Sequence, residues 1–319
     1  IIFLIRKNTE LCSQNKFFIS KLELLKYGIM GHLQEHQKGI LAIVAAAILW
    51  SSGGIFIKLI TLNTIQLASI RSAFAALVFG FLFRKKLFEV NGFTFINALF
   101  YSGILIFFVS ATKLTTAANA IFLQYTAPIY VLIFEPMINK TRYEKINIIT
   151  VALCFAGMLL FFTGEITPGH FAGNIYALLS GVAFAAFLVG MRKNKNDYQF
   201  SSIFYGNVLV ALVGIPSLTE LHGISFSDLW QVAFLGVFQI GIAYVIFGYG
   251  LKRVLAIEAS LIGMIEPVLN PVWVFIGYGE APSVMAITGG LIIIAVISVR
   301  AFILESPRFK TINNKQSLS

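Results

Sequence analysis

Charged side chains are scarce in this sequence. Asp, Glu, Lys and Arg together make up 12% of its 319 residues, whereas a soluble globular domain carries about a quarter. Hydrophobic residues reach 58%, and the mean hydropathy is +0.84. A water-soluble globule of this size could not hide so much apolar surface, because a large part of any globule faces water. The composition therefore predicts an integral membrane protein.

Residues that would indicate other classes of protein are also few. The two cysteines, Cys12 and Cys154, form no motif, and Cys154 lies in an apolar run where we expect a small packing residue. The histidines lie outside the apolar runs, and His32 and His36 at i, i+4 spacing are only two ligands, so we predict no metal site and no cofactor.

The sequence has no Walker loop and no nucleophile with a base, so we predict that it is not an enzyme. The net charge of +10 is dispersed among the apolar runs, which argues against a nucleic-acid partner.

Apolar runs follow one another with short gaps along most of the chain. A helix needs roughly 20 mostly apolar residues to cross the hydrocarbon core of a bilayer. The runs are continuously apolar rather than alternating, which predicts helices and not barrel strands. We predict an all-α protein with ten transmembrane helices, at Gly39–Ile60, Ile65–Phe83, Phe93–Ala111, Ala117–Met137, Ile146–Phe162, Phe171–Met191, Ser201–Pro216, Leu229–Gly250, Ile257–Gly277 and Val284–Leu304. The seventh is the weakest, because Gly206 and Asn207 interrupt it.

Basic residues are distributed unevenly between the two sets of connecting loops. With the N-terminus inside, the cytoplasmic loops contain the basic clusters within Arg84–Lys86, Lys140–Lys145, Arg192–Lys195 and Lys252–Arg253. The outer loops carry acidic residues and almost no basic ones. Because cytoplasmic loops are enriched in Lys and Arg, this pattern predicts an even number of spans in the cell membrane, with both termini cytoplasmic.

The first 38 residues differ from the rest because they mix basic and acidic side chains. We expect residues 1–38 to be a cytoplasmic extension, and we expect translation to start at Met30, the first methionine. No signal-peptide pattern is evident. The remainder divides into a first unit at residues 39–163, a second unit at residues 171–304 and a cytoplasmic tail at residues 305–319.

The two units align with each other. Gly39 pairs with Gly173, and a slightly longer offset pairs Pro128 with Pro267. Because each unit contains five predicted helices, the second copy enters the membrane from the opposite side. Many transporters use inverted repeats of this kind to build two related gates around one central site.

Several of these stretches carry a family resemblance. They are Leu49–Gly54 (LWSSGG), Ile70–Ser72 (IRS), Leu114–Pro128 (LTTAANAIFLQYTAP) and Ile265–Pro267 (IEP), with Gly279–Glu280 and Gly289–Gly290. Over roughly residues 39–302 the chain resembles the drug/metabolite transporter superfamily, specifically an EamA-type permease with two EamA domains. Members often carry an acidic residue after the last-but-one helix of each repeat. Glu280 matches that position in the second repeat, whereas Thr141 occupies it in the first.

The resemblance implies two inverted five-helix repeats and a secondary transporter that works by alternating access. Its expected substrate is a small metabolite such as an amino acid or a related compound, moved across a bacterial inner membrane and frequently outward. Efflux of amphipathic drugs and sugar-type uptake are alternatives on the same fold, and an intramembrane enzyme is a distant one. The expected partners are the substrate, the lipid bilayer and, as a candidate, protons, and the oligomeric state stays open.

Charged side chains inside a bilayer cost about 2.5 kcal/mol or more near the middle of a helix, so each needs a reason. Glu266 precedes Pro267 and shares a helix face with Asn270 and Trp273 at i, i+4, i+7 spacing. This pattern predicts a substrate or proton site, with a structural buried carboxyl as the alternative. Arg71 could hold a substrate carboxylate, pair with an acid or extend to the membrane surface.

Two further acids lie near predicted helix ends. Glu258 is a second candidate for proton coupling, with a gate or an interfacial ion pair as alternatives, and Glu135 is expected at the membrane interface. The substrate-binding candidates are Arg71, Trp50, Asn119, Gln124, Tyr125, Tyr244, Glu266, Asn270 and Trp273, and the hinge candidates are Pro128 and Pro267. Tyr101, Asn207 and Gln239 are further polar points. As a set, these residues predict a polar, aromatic-lined central cavity.

Overall fold

The computed structural model describes residues 35–305, apart from residues 116, 143, 162, 164–170, 194–197, 222 and 279–282. The described residues form helices and their connections, with no β-strand among them, which confirms the all-α prediction. The expectations about a start at Met30, about Glu280 and about the C-terminal tail lie outside the described residues.

The helices of the first half run in sequence with short connections. They are α1 (residues 35–51 and Gly53–Leu59), α2 (Thr64–Phe83), α3 (Gly92–Leu114), α4 (Ala117–Gln124 and Ala127–Asn139) and α5 (Lys145–Phe161). A 3₁₀ turn at Arg84–Phe88 follows α2. Asparagine caps fix two of the helix starts. Asn63 caps α2 together with Gln66, and Asn91 caps α3 together with Thr94.

The helices of the second half repeat this order. They are α6 (Phe171–Lys193), α7 (Gln199–Val213), α8 (Phe226–Phe234, Leu235–Ile242 and Ala243–Leu251), α9 (Ala256–Gly263 and Ile265–Tyr278) and α10 (Val284–Glu305). A four-residue helix, Ile215–Leu218, follows α7. The middle segment of α8 is a π-helix, whose wider turn lies within an otherwise α-helical span.

Six of these helices are long and apolar enough to cross a membrane. They lie in α1, α2, α3, α4, α6 and α8, and shorter apolar helices form most of α5, α7 and α10. This composition is that of a multi-pass helical membrane protein. The count of ten spans and the cytoplasmic position of both termini stay predictions.

The helices of the two halves pack against each other rather than forming separate bundles. α3 lies along α6 and α7, α2 lies along α7 and the π-helical segment of α8, and both segments of α4 lie along α6. Glycine allows the closest of these approaches. A Cβ atom on Gly206 of α7 would lie 2.9 Å from the carbonyl oxygen of Ala98 in α3. The seventh predicted span is a short apolar helix of 15 residues, as its weakness in the sequence indicated, but Gly206 and Asn207 do not interrupt it, because α7 continues through both residues.

α4 and α9 are each broken near the middle, close to the prolines that the sequence offered as hinge candidates. α4 turns at Tyr125 and Thr126, and α9 turns at Met264. Pro128 and Pro267 follow in the first turn of the next helical segment. A proline at that position loses no intrahelical hydrogen bond, so it starts a new segment instead of kinking a continuous one.

Candidate binding site in the helical core

A cavity lies between helices of both halves. Its lining residues are Trp50, Arg71, Ile104, Leu105, Phe108, Gln124, Phe184, Gln239, Ile240, Tyr244 and Glu266. The space among them, open solvent included, is about 450 Å³. Ligand pockets are usually mainly apolar, with a few polar groups that orient the ligand. This cavity has that character.

Arg71 contributes the positive charge of the cavity. The side chain is 2% exposed, so it does not extend to the surface. Nη2 donates a 3.4 Å hydrogen bond to the carbonyl oxygen of Leu105, and Nε has no hydrogen-bond partner within the described part of the chain. Among the described residues, no carboxylate lies within 4.0 Å of the guanidinium. A buried guanidinium with an unfilled donor is suited to an anionic ligand.

Glu266 contributes the acidic group, at the start of the second segment of α9. The hydroxyl of Tyr125 donates a hydrogen bond of 2.5 Å to Glu266 Oε2. Next to it, Gln124 Nε2 donates to Ser180 Oγ at 2.7 Å, which ties α4 to α6. The broken helix α4 therefore supplies both a partner for the carboxyl and a lining residue for the cavity.

Trp50 contributes an aromatic wall. Its ring centroid lies 4.9 Å from that of Tyr244, 4.8 Å from that of Phe247 and 6.2 Å from that of Phe184. The indole Nε1 has no hydrogen-bond partner among the described residues. A buried indole N–H normally finds a partner, so this donor is a second unfilled polar group at the cavity.

Gln239 is the lining residue that the sequence named only as a polar point. It lies in the π-helical segment of α8, and its Oε1 atom is buried without a hydrogen-bond partner in the described part of the chain. The signal in the sequence is one amide within the apolar run LGVFQIGI. Nothing in that run indicated a π-helix, because the period of the apolar residues is the same as in any buried helix.

Among the other predicted site residues, Trp273 and Asn119 are not part of the cavity lining. Trp273 Nε1 donates to Ser51 Oγ at 2.7 Å, which joins α9 to α1 beside Trp50. The side chain of Asn270 lies outside the described residues. Asn119 Nδ2 donates to Thr115 Oγ1 at 3.1 Å and to Asn174 Oδ1 at 3.2 Å, so it connects α4 with α6.

Glu258 belongs to a buried polar cluster at the opposite end of the molecule from Asn119. His36 Nε2 lies 3.0 Å from Glu258 Oε2, and Arg300 Nη1 lies 3.5 Å from Glu258 Oε1. Arg300 also donates to Asn147 Oδ1 from Nε and Nη2, at 3.0 and 2.9 Å. The cluster joins α1, α5, α9 and α10.

Glu135 is buried inside the protein, at a contact between two helices. Its expected position at the depth of the membrane interface stays a prediction. The side chain is 2% exposed. Its two carboxylate oxygens accept hydrogen bonds of 2.9 Å from the backbone N–H groups of Ala256 and Ile257. These N–H groups are at the N-terminus of α9, where they lack intrahelical partners and where a negative charge is stabilising. A residue of α4 therefore caps a helix of the other half.

Comparison with known proteins places the chain among transporters. The EamA-like transporter family model matches residues 37–163 and 171–300. An uncharacterized transporter of Archaeoglobus fulgidus is 26% identical over 82% of this chain and 95% of its own length. Human solute carrier family 35 member G1 is 23% identical over 81% of this chain and 77% of its own length. One solved crystal structure, at 19% identity, superposes with a TM-score of 0.72 over 85% of this chain and 99% of the other, which shows a shared fold.

The fold and the cavity define a multi-pass helical membrane protein with a polar cavity in its core. With both halves matched by the family model, the chain belongs to the EamA-like transporter family. This confirms the resemblance seen in the sequence. Membership implies a small-molecule substrate and a membrane environment.

Proposed function

We propose that the protein is a secondary transporter of a small carboxylate-bearing metabolite, such as an amino acid or a related compound, in the bacterial inner membrane. The observation that carries this proposal is the environment of Arg71. The guanidinium is buried at the cavity, and no described carboxylate neutralises it. A buried positive charge without a neighbouring negative charge destabilises a protein. A bound substrate carboxylate would supply that negative charge.

The other polar atoms of the cavity support the same class of substrate. Trp50 Nε1 is a second donor without a partner among the described residues. Gln239 Oε1 is an acceptor that also has no partner among them. Two donors and one acceptor around a small space suit a compound that carries a carboxylate and a second polar group. The apolar lining, which includes Ile104 and Phe108, would face an aliphatic or aromatic side chain of the substrate.

Alternating access requires contacts that can close either end of the cavity. At the end that we propose to be cytoplasmic, Glu135 caps α9 and Glu258 pairs with Arg300. At the other end, Asp228 of α8 accepts hydrogen bonds from the backbone N–H and the hydroxyl of Thr61, at 3.1 and 2.6 Å. We propose that these two sets of contacts break in turn during transport.

Glu266 is the residue that we propose for proton coupling. It lies at the cavity, it is held by Tyr125, and it belongs to a helix that is broken beside it. A carboxyl in such a place can bind a proton in one state and release it in another. We propose exchange of protons for substrate, with the substrate moving outward, as the family resemblance implies.

Efflux of amphipathic compounds is the second candidate, and the aromatic wall favours it. Trp50 and Tyr244 line the cavity with aromatic rings, which would bind a flat or cationic drug. The two candidates differ in their dependence on Arg71, because a cationic compound gains nothing from a guanidinium.

The experiment that tests the proposal is a screen of the purified protein for thermal stabilisation by carboxylate-bearing metabolites and by amphipathic cations. A ligand that binds only the folded state raises the melting temperature. Compounds that stabilise the protein are then tested for counterflow in proteoliposomes. Stabilisation and counterflow by carboxylates support the proposal, whereas activity with cations alone contradicts it.

A further inference from the structure

We infer that Gln239 is a specificity-determining residue of the cavity, and that its carboxamide binds a hydrogen-bond donor carried by the substrate next to the carboxylate at Arg71. The inference rests on the proposed function, because it assigns the second polar contact of the same substrate. The inference defines the chemical class of the substrate. We expect a carboxylate compound with a hydroxyl or ammonium group on a nearby carbon to bind better than the same carboxylate without that group.

Gln239 carries a buried polar atom that has no partner among the described residues. The side chain is 8% exposed, it lines the cavity, and its Oε1 atom has no partner among the described residues. A buried amide without partners costs free energy. Many unsatisfied groups of this kind in native proteins have a functional explanation, and a ligand that fills the adjacent cavity is the simplest one here.

The backbone around Gln239 holds it in a defined place. The π-helical segment lies against α2, where a Cβ atom on Gly236 would be 2.5 Å from the carbonyl oxygen of Arg71. On the other side, a Cβ atom on Gly53 of α1 would be 2.5 Å from Gln239 Nε2. π-helical turns are rare and often occur at functional sites. This one places Gln239 between Gly53 and the helix that carries Arg71.

The chemistry of the two residues is complementary. Arg71 has only donors, so it selects an acceptor such as a carboxylate. Gln239 offers an acceptor as well as donors, and its neutral amide does not compete with the substrate for the guanidinium. A site built to hydrogen-bond a polar group rejects an analogue that lacks it, because the buried protein group then stays unpaired.

The test uses three ligands that differ at one position. They are leucine, 2-hydroxy-4-methylpentanoate and 4-methylpentanoate, which carry an ammonium group, a hydroxyl group and only hydrogen at C2. Their dissociation constants are measured from the melting temperature against ligand concentration, for the wild-type protein and for Gln239→Leu and Arg71→Gln. We expect the wild type to prefer leucine or the hydroxy acid over 4-methylpentanoate by about tenfold or more. Gln239→Leu removes this preference while it still binds 4-methylpentanoate.

A glycine substitution gives an independent second variant. Gly53→Ala places a methyl group against the amide of Gln239, so we expect it to reduce the same preference without changing Gln239 itself. Gly80→Ala is the matched control, because its Cβ atom would meet only Phe204, at 3.9 Å. The control should bind the three ligands as the wild type does.

The outcomes separate the inference from the function on which it rests. The proposed binding site is wrong if the wild type binds none of the three ligands, or if Arg71→Gln binds them as the wild type does. In either case the inference about Gln239 is wrong as well. If binding depends on Arg71 but the wild type shows no preference, or Gln239→Leu keeps the preference, the inference alone is overturned.

Discussion

Tyr125 of α4 donates a hydrogen bond to Glu266 of α9, and each residue lies at the break of its own helix. The offset that aligns Pro128 with Pro267 places Tyr125 opposite Met264, where α9 turns. The contact therefore joins the broken helices of the two repeats at their breaks, beside the cavity. A change in the protonation of Glu266 would act on both broken helices at once.

The first prediction concerns coupling through Glu266. In proteoliposomes, Glu266→Gln should retain substrate counterflow, which needs no proton movement, but lose the acceleration of transport by an imposed proton gradient. The amide keeps the shape and hydrogen-bonding capacity of the side chain but cannot exchange a proton. The measurement is the ratio of gradient-driven transport to counterflow in the wild type and the variant.

Tyr125→Phe is the matched control for this prediction. It removes the hydrogen bond to Glu266 and leaves the carboxyl in place, so gradient-driven transport should persist. If Glu266→Gln responds to the gradient as the wild type does, Glu266 is not the coupling residue.

The second prediction concerns the cap that Glu135 provides for α9. Glu135→Ala leaves the N–H groups of Ala256 and Ile257 without their partner. Loss of a helix cap costs about 1 kcal/mol, and two buried N–H groups raise that cost. We therefore expect a lower melting temperature in detergent. Glu144→Ala is the comparison, since its carboxylate accepts a long hydrogen bond of 3.4 Å from Asn147 Nδ2 at a partly buried position. Equal melting temperatures for the two variants would show that the cap contributes nothing.

The third prediction concerns the buried pair of Glu258 and Arg300. Removing one partner of a buried pair costs about 3–5 kcal/mol when the other charge is left uncompensated, and here Glu258 would keep its 3.0 Å contact with His36. Arg300→Met should therefore destabilise the protein by less than that cost, and Glu258→Gln in the same chain should recover part of the loss. The measurement is a double-mutant cycle of melting temperatures. Strictly additive losses would mean that the two side chains do not interact.

The fourth prediction concerns the close approach of α3 and α7. A Cβ atom on Gly206 would lie 2.6 Å from Tyr101 Cδ1 and 2.9 Å from the backbone of Ala98, so Gly206→Ala should destabilise the fold by about 1–3 kcal/mol. Gly103→Ala in α3 is the control, because its Cβ atom would be no closer than 3.5 Å to Ala183. If Gly206→Ala and Gly103→Ala have the same free energy of unfolding, the predicted close approach of α3 and α7 is wrong.

Much of the fold could be predicted from the sequence, because lipid imposes a simple rule on it. Long continuously apolar runs must become helices, and α1, α2, α3, α6 and α8 lie where such runs occur. The hinge candidates Pro128 and Pro267 lie next to the breaks in α4 and α9, but the form of each break did not follow from the sequence. Proline is compatible with a kink or with a new helix start, and the sequence around Pro128 does not decide between them.

The site was predicted unevenly for a physical reason. Arg71 and Glu266 were found because a charge in an apolar run stands out at once. Gln239 was noted but not chosen, since a single amide in a membrane helix is more often structural. Its importance depends on the π-helical turn and on Gly53, and contacts between helices that are distant in sequence do not appear in a hydrophobic pattern.

The most direct test of the central claim is counterflow of a carboxylate-bearing substrate by Arg71 variants in proteoliposomes. Arg192→Gln is the control, because Arg192 also donates to a backbone carbonyl oxygen, that of Leu251, at 3.4 Å, but does not line the cavity. We expect Arg71→Gln to reduce counterflow at least about tenfold, Arg71→Lys to retain part of it, and Arg192→Gln to retain nearly all of it. Counterflow by a folded Arg71→Gln protein at the wild-type rate would contradict the account.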